Sequence, residues 1–230
     1  MLRRLKRLIP RRITEFFHLL RAMVAVAYYG HPSREMTVIG ITGTDGKTTS
    51  SYLVYEILKK AGKRVSLVTS VGAILHGTDK ATEPIGLHVT TPGPFFTQNL
   101  LKQAKAAGSD YVMLETTSHG LAQHRVWGIK YHIGGITNIT NEHLDYHGTY
   151  EGYLRDKARL LRNVEYSILN RDDRSYEMLR PLAHGKVLTY SISGAPADIT
   201  AESIEMTPTG TSFYVPALGQ TIRMKFLGEY

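Results

Sequence analysis

The sequence predicts an α/β fold: a mostly parallel β-sheet with helices on both faces, followed at the C-terminal end by a small antiparallel β extension. Two observations carry this. Apolar, β-branched runs at residues 38–41, 64–69, 110–115 and 131–137 alternate with helix-length segments, as in a sheet built from crossover units. Beyond residue 190 the pattern changes, and residues 199–206, 211–215 and 221–226 alternate like an antiparallel meander.

The first 35 residues stand apart. They hold eight Lys/Arg against Glu15 and Glu35, so the other 195 residues carry a net charge of only +2 out of the chain's +8. A nearly balanced body with a basic head is a poor nucleic-acid binder, and no nucleic-acid partner is expected. The head reads as an amphipathic helix with Ile13, Phe16, Phe17, Leu20, Val24 and Tyr28 along one side, which we expect to pack on the body. The alternative is peripheral contact of residues 1–30 with an anionic membrane surface. Its Ala25-Val26-Ala27 imitates an export cleavage site, but Arg21 breaks the apolar run, which is also shorter than the roughly 20 residues of a spanning helix. The absence of cysteine removes disulfides and thiolate chemistry and fits a reducing, cytoplasmic setting.

Residues 38–49 organise the rest. A buried strand runs into Gly43-Thr44-Asp45-Gly46-Lys47-Thr48-Thr49 and then a helix in which Leu53, Ile57, Leu58 and Ala61 recur before Gly62. Glycines at 43 and 46 let successive N–H groups face one anion, Lys47 adds a full charge, and Thr48 stands where a P-loop places its magnesium-binding hydroxyl. The strict Walker spacing is broken, because Ile41 occupies the first glycine position.

A second strand at 64–69 leads into a glycine-containing loop or hairpin over 70–82. Thr90-Thr91-Pro92 then turns the chain before a helix from about 95 to 107. The strand at 110–115 ends in Glu115, a metal-ligand candidate of Walker B form, or else an acid at a helix N-terminus. Past the strand at 131–137 come Asn138, Asn141, Glu142, His143, Asp145 and His147, a group suited to a second metal or phosphate contact. Lys157 lies in a helix at about 150–162 among charged neighbours, and its spacing alone favours an exposed lysine. A strand at 166–169, a helix to about 183 and a strand at 186–190 complete the sheet.

Five stretches in order resemble the central domain of the Mur ligases, and most of all the UDP-N-acetylmuramoyl-tripeptide synthetase (MurE-type) branch. They are residues 42–49, 90–92, 115–125 (Glu-Thr-Thr-Ser-His-Gly-Leu-Ala-Gln-His-Arg), 137–148 (Thr-Asn-Ile-Thr-Asn-Glu-His-Leu-Asp-Tyr-His-Gly) and 153–160. The resemblance implies ATP-dependent amide formation, with Mg2+ as cofactor and a UDP-N-acetylmuramoyl peptide and an amino acid as substrates. It makes Lys47, Glu115, His143 and Lys157 catalytic. It places Gly43 to Thr49 and Asn138 on the nucleotide, and Thr48, Glu115, His143 and a carbamylated Lys157 on the metal. Thr90, Thr91, Thr117, Gln123 and Arg125 fall on positions that contact the muramoyl substrate.

Departures accompany the matches. Asp45 stands where the family usually has asparagine, Val89 where asparagine often precedes the threonine pair, Thr116-Thr117 where a small residue and serine are usual, and Glu142 where aspartate is usual. The expected organisation is a basic helix over 1–35 in place of the family's UDP-binding domain, and a central ATP-binding domain over 36–230 truncated before the C-terminal domain. Folylpolyglutamate- or cyanophycin-synthetase-type ligases, and a nucleotide-binding module without turnover, are the alternative readings.

Overall fold

The computed structural model describes residues 11–78, 91–142 and 144–225. After α1 (Arg11–Tyr29), β1 (Thr37–Thr42) enters the middle of the sheet, followed by α2 (Lys47–Lys60), β2 (Val65–Thr69) and β3 (Gly72–Ile74). Next come α3 (Pro94–Ala106), β4 (Tyr111–Glu115), α4 (Ser118–Ala122) and β5 (Tyr131–Ile136). Then follow α5 (Leu144–His147), α6 (Tyr150–Ala158), β6 (Tyr166–Asn170), α7 (Tyr176–Leu179) and β7 (Lys186–Ser191). The chain continues through β8 (Ile199–Thr200), β9 (Glu202–Thr207), β10 (Gly210–Val215) and β11 (Gln220–Met224).

Eight strands form one sheet in the order β3-β2-β4-β1-β5-β6-β7-β8, all parallel except β3, which pairs antiparallel with β2 as a hairpin. From β1 the connections run to one side through β2 and to the other side through β5. The order therefore reverses beside β1, so its carboxyl end, flanked by β4 and β5, is the position at which open sheets of this kind bind ligands. Register fixes what lines it: Ile41 of β1 faces Glu115 of β4, and Thr42 faces Ile136 of β5.

The central strands carry apolar side chains on both faces because helices cover both. One core gathers Val38, Val112 and Leu114 with Leu101 of α3, and another gathers Ile39, Leu67 and Met113 with Tyr55 of α2. Glycines let other layers close. A Cβ on Gly134 of β5 would lie 2.9 Å from the backbone oxygen of Leu160. Gly134→Ala is accordingly expected to cost about 1–3 kcal/mol in equilibrium denaturation, the usual penalty of overpacking, without displacing the loop after β1.

Three expectations need correction. The large apolar side chains of α1 face solvent: Phe16 and Phe17 are each 62% exposed and Tyr28 74%, while Ala22, Ala25 and Val26 are buried on the side turned to the body, where Val26 adjoins Gly128 and the rings of Tyr28 and Tyr29 stand beside Phe95 of α3. Small residues permit close approach of helix to body, and that contact takes precedence over the larger residues opposite. In α2, Ile57 points outward at 64% exposure; Ser51 and Tyr55 are buried, and Tyr52, Val54 and the expected Leu58 pack against the same core. Residues 199–206 are not one strand. Ala201 N–H bonds to Ser191 O, so β8 extends the main sheet, and β9 begins after it in a separate three-stranded sheet of order β11-β10-β9.

Candidate functional site

The loop from Gly43 to Gly46 is braced from β5's side. Asp45 N–H donates to Asn138 Oδ1 (2.9 Å), Asn138 Nδ2 returns a bond to Asp45 O (3.3 Å), and Thr137 Oγ1 donates to the same oxygen (2.7 Å). Thr44 N–H bonds to Asn138 O, and Thr44 Oγ1 accepts from Thr140 N–H (2.9 Å). Gly43 cannot carry a side chain here, since a Cβ would fall 1.8 Å from Thr137 Oγ1. Gly46, with φ at 75°, caps α2 in the left-handed region where glycine is strain-free. The first turn of α2 then presents its N–H groups beside Lys47, whose Nζ donates to Thr44 O (2.6 Å). Thr49 is exposed on that turn.

Glu115 meets this loop from β4. It is 2% exposed; its Oε2 accepts from Thr48 Oγ1 (2.9 Å) and from the N–H and Oγ of Ser70 (3.2 and 3.3 Å). Its Oε1 is buried with no hydrogen-bond partner among the described residues. A buried carboxylate oxygen without a donor is costly, and a hard cation satisfies it. Hydroxyl and carboxylate oxygens side by side are the donor set Mg2+ prefers, so the residues fit that ion. Ser70 went unnoticed in the sequence because nothing around it marks a site.

Lys157 overturns the reading of an exposed helical lysine. It is 1% exposed, its Nζ donates to Gly43 O, and the ammonium stands 4.6 Å from the centre of the Tyr153 ring. Burial, helped by the charge of Lys47, pushes its pKa from 10.5 down to about 7. Lys47, Thr48, Glu115 and Lys157 are thus joined to one loop by direct contacts. His143 lies outside the described residues, and so does Thr90.

The group after β5 divides. Asn138 braces the loop, and Asn141 accepts from Arg174. His147 turns inward between Asp156 (2.8 Å) and Ser118 Oγ (3.1 Å), tying α5 to α6 and α4. Among the described residues no group of three or more His, Asp or Glu forms a metal cluster; His143 of the expected second contact lies outside those residues.

A second cluster adjoins Glu115 through the next turn of chain. Thr91 Oγ1 and Thr117 Oγ1 are 2.7 Å apart, and Thr117 caps α4 by accepting from Gly120 N–H. Arg125 donates to Thr91 O and twice to Gln123 Oε1, while Gln123 Nε2 donates to Tyr146. Burial lowers the pKa of Arg125, and burial followed by the charges of Arg125 and Arg21 lowers that of His18. Arg21 Nη2 lies 3.5 Å from where a Cβ on Gly93 would sit. The N-terminal helix therefore brings two nitrogenous side chains to this cluster. Sequence alone did not find them, since on a basic helix neither stands out.

The Mur ligase middle-domain model matches residues 41–230. The chain belongs to the Mur ligase family. Among relatives of this Mur ligase domain, the UDP-N-acetylmuramyl-tripeptide synthetase of Deinococcus radiodurans is 40% identical over 211 residues, covering 91% of this chain and 42% of that protein. The UDP-N-acetylmuramoyl-L-alanyl-D-glutamate–2,6-diaminopimelate ligase of Geobacillus thermodenitrificans is 35% identical over 220 residues, covering 91% and 44%. A solved structure of a ligase of that same name superposes with a TM-score of 0.72 at 29% identity, over 82% of this chain and 38% of the other. The Mycobacterium tuberculosis folylpolyglutamate synthase shares the fold at a TM-score of 0.68 and 17% identity, over 89% and 53%. The Mur ligase domain thus spans about two fifths of the length of these curated relatives.

Proposed function

We propose that this domain is the nucleotide-binding centre of a cytoplasmic, ATP- and Mg2+-dependent ligase that joins an amino acid to a UDP-N-acetylmuramoyl peptide in peptidoglycan precursor synthesis. The observation that carries this reading is the bare, buried oxygen of Glu115 next to the Thr48 hydroxyl at the mouth of the glycine loop. The names of the relatives supply the substrate class.

The N–H groups of the loop and of α2's first turn bind the ATP phosphates, and Lys47 leaves Thr44 O to follow the charge that migrates to the leaving ADP. Thr48 and Glu115 would hold Mg2+, which supplies neutralisation of phosphate charge. Thr91, Thr117, Gln123 and Arg125 orient the peptide so that its carboxylate oxygen faces the γ-phosphorus. That oxygen forms the new P–O bond as the bond to ADP breaks, giving an acyl phosphate. The amino acid's amine then attacks the acyl carbon, phosphate departs, and the amine loses a proton. Lys157, with an amine that is substantially neutral near pH 7, is suited to take up CO2 as a carbamate and so to present an anion at Gly43. His143 and Thr90 belong to the same proposal on resemblance alone. The rest of a full-length ligase, which this chain does not span, is required for closure over the amino acid.

Glu115→Gln tests this. The exchange keeps the shape and removes the charge, so affinity for ATP with Mg2+ present should fall at least about tenfold while affinity for ATP in EDTA stays unchanged. Equal affinity of both proteins for Mg2+-ATP would remove the metal assignment. Absence of ATP binding by the unaltered chain would remove the nucleotide assignment. Phosphate release that depends on both the muramoyl peptide and the amino acid, with the remaining ligase domain supplied, checks the substrate assignment.

A further inference from the structure

Helix α1 has two apolar faces and uses only one. Ala22, Ala25 and Val26 are buried against the body, whereas on the opposite side Ile13, Phe16, Phe17, Leu20 and Val24 are each about half exposed or more, and Tyr28 at the edge of this stripe stands beside Phe95 of α3. Over this outer arc of some four turns no charged side chain interrupts. Exposed apolar residues occur singly on most proteins, but a continuous stripe with two adjacent phenylalanines marks a surface that is covered in use.

The charge of the adjoining sequence says by what. Residues 1–12 contain Arg3, Arg4, Lys6, Arg7, Arg11 and Arg12 and no acid, and they lead directly into the stripe. A second copy would bring an identical cluster of six cations and a net charge of +8 against this one, which opposes self-association. An anionic lipid surface complements both features: its headgroups attract the cations, and its acyl boundary accepts aromatic and aliphatic side chains from a helix lying in its plane. Among the described residues no helix is long and apolar enough to cross a membrane, so the contact is peripheral.

We propose that the outer face of α1, with the basic segment before it, docks this protein on an anionic phospholipid surface. The inner face stays on the body throughout, so docking requires no unfolding. Because Arg21 of the same helix adjoins Gly93, the Thr91–Arg125 cluster lies about one helix diameter, roughly 10 Å, behind the docked surface.

Flotation of the full 230-residue chain with phosphatidylcholine vesicles, with or without about 30% phosphatidylglycerol, tests this. The anionic vesicles should bind it at least about tenfold more tightly than the neutral ones, with the difference collapsing near 0.5 M salt. Combined Phe16→Gln, Phe17→Gln and Leu20→Gln exchanges should lower binding to anionic vesicles by about tenfold or more. Their exposure predicts an unchanged thermal transition, which is measured alongside. Equal partition onto both vesicle types, or partition indifferent to the triple exchange, would overturn the proposal. A dimer in the absence of lipid that the triple exchange dissolves, with no vesicle binding, would assign the face to a second copy instead.

Discussion

Lys47→Ala is expected to weaken Mg2+-ATP binding by about 30- to 100-fold, the loss of one charge-assisted bond to a phosphate in a partly desolvated site, worth roughly 2–3 kcal/mol. The fold should persist, because the lysine is half-buried and its hydrogen bond among the described residues is to Thr44 O in its own loop. Isothermal titration of the two proteins reads the ratio, and thermal unfolding reads the control. Lys47→Arg should recover little, since a fork of fixed geometry does not fill the place of a compact ammonium beside Thr44. A ratio near one would mean that the phosphates lie elsewhere.

Replacing Lys157 with methionine is expected to raise stability at acid and neutral pH and to cost function. In the folded protein the amine titrates near 7, whereas in the unfolded chain it has its ordinary value of 10.5. Between those values the unfolded chain holds more protons, so stability rises with pH there; below about 7 the full penalty of a buried cation is present. Lys157→Met removes that slope. At pH 6 the variant should be more stable by about 2 kcal/mol, the gain from the lost charge being offset by leaving Gly43 O without its donor. Urea unfolding of both proteins from pH 6 to 10 in CO2-free buffer measures this, and parallel curves would contradict it.

The parallel sheet and the glycine loop were legible because each depends on local pattern. Apolar β-branched runs report burial on two faces, and Gly43, Gly46 and Lys47 report a backbone that must turn around an anion. Glu115 was legible too, since position at a strand's carboxyl end follows from the order of elements. Lys157 was not, because Asp156 and Arg159 beside it read as an exposed face. Its burial comes from the loop 114 residues earlier in the chain, whose Gly43 O receives its bond. His147 hid for the same reason: Asp156 and Ser118 make it a strut between three helices, and neither partner is adjacent in sequence. For α1 the periodicity located an apolar stripe correctly but could not say which of two stripes faces inward. The helix lies on α3 and buries Ala22, Ala25 and Val26, so the face of smaller side chains is the one turned inward.

The central claim is that groups from β1, β4 and α6 meet around one magnesium-nucleotide at the carboxyl edge of the sheet. A crystal structure of this chain grown with Mg2+ and a non-hydrolysable ATP analogue tests it most directly. The predicted result is triphosphate against the N–H groups of residues 43–48, Lys47 Nζ on its oxygens, and the metal beside Thr48 Oγ1 and Glu115. Nucleotide bound away from the glycine loop, or a metal that leaves Glu115 Oε1 bare, would contradict it.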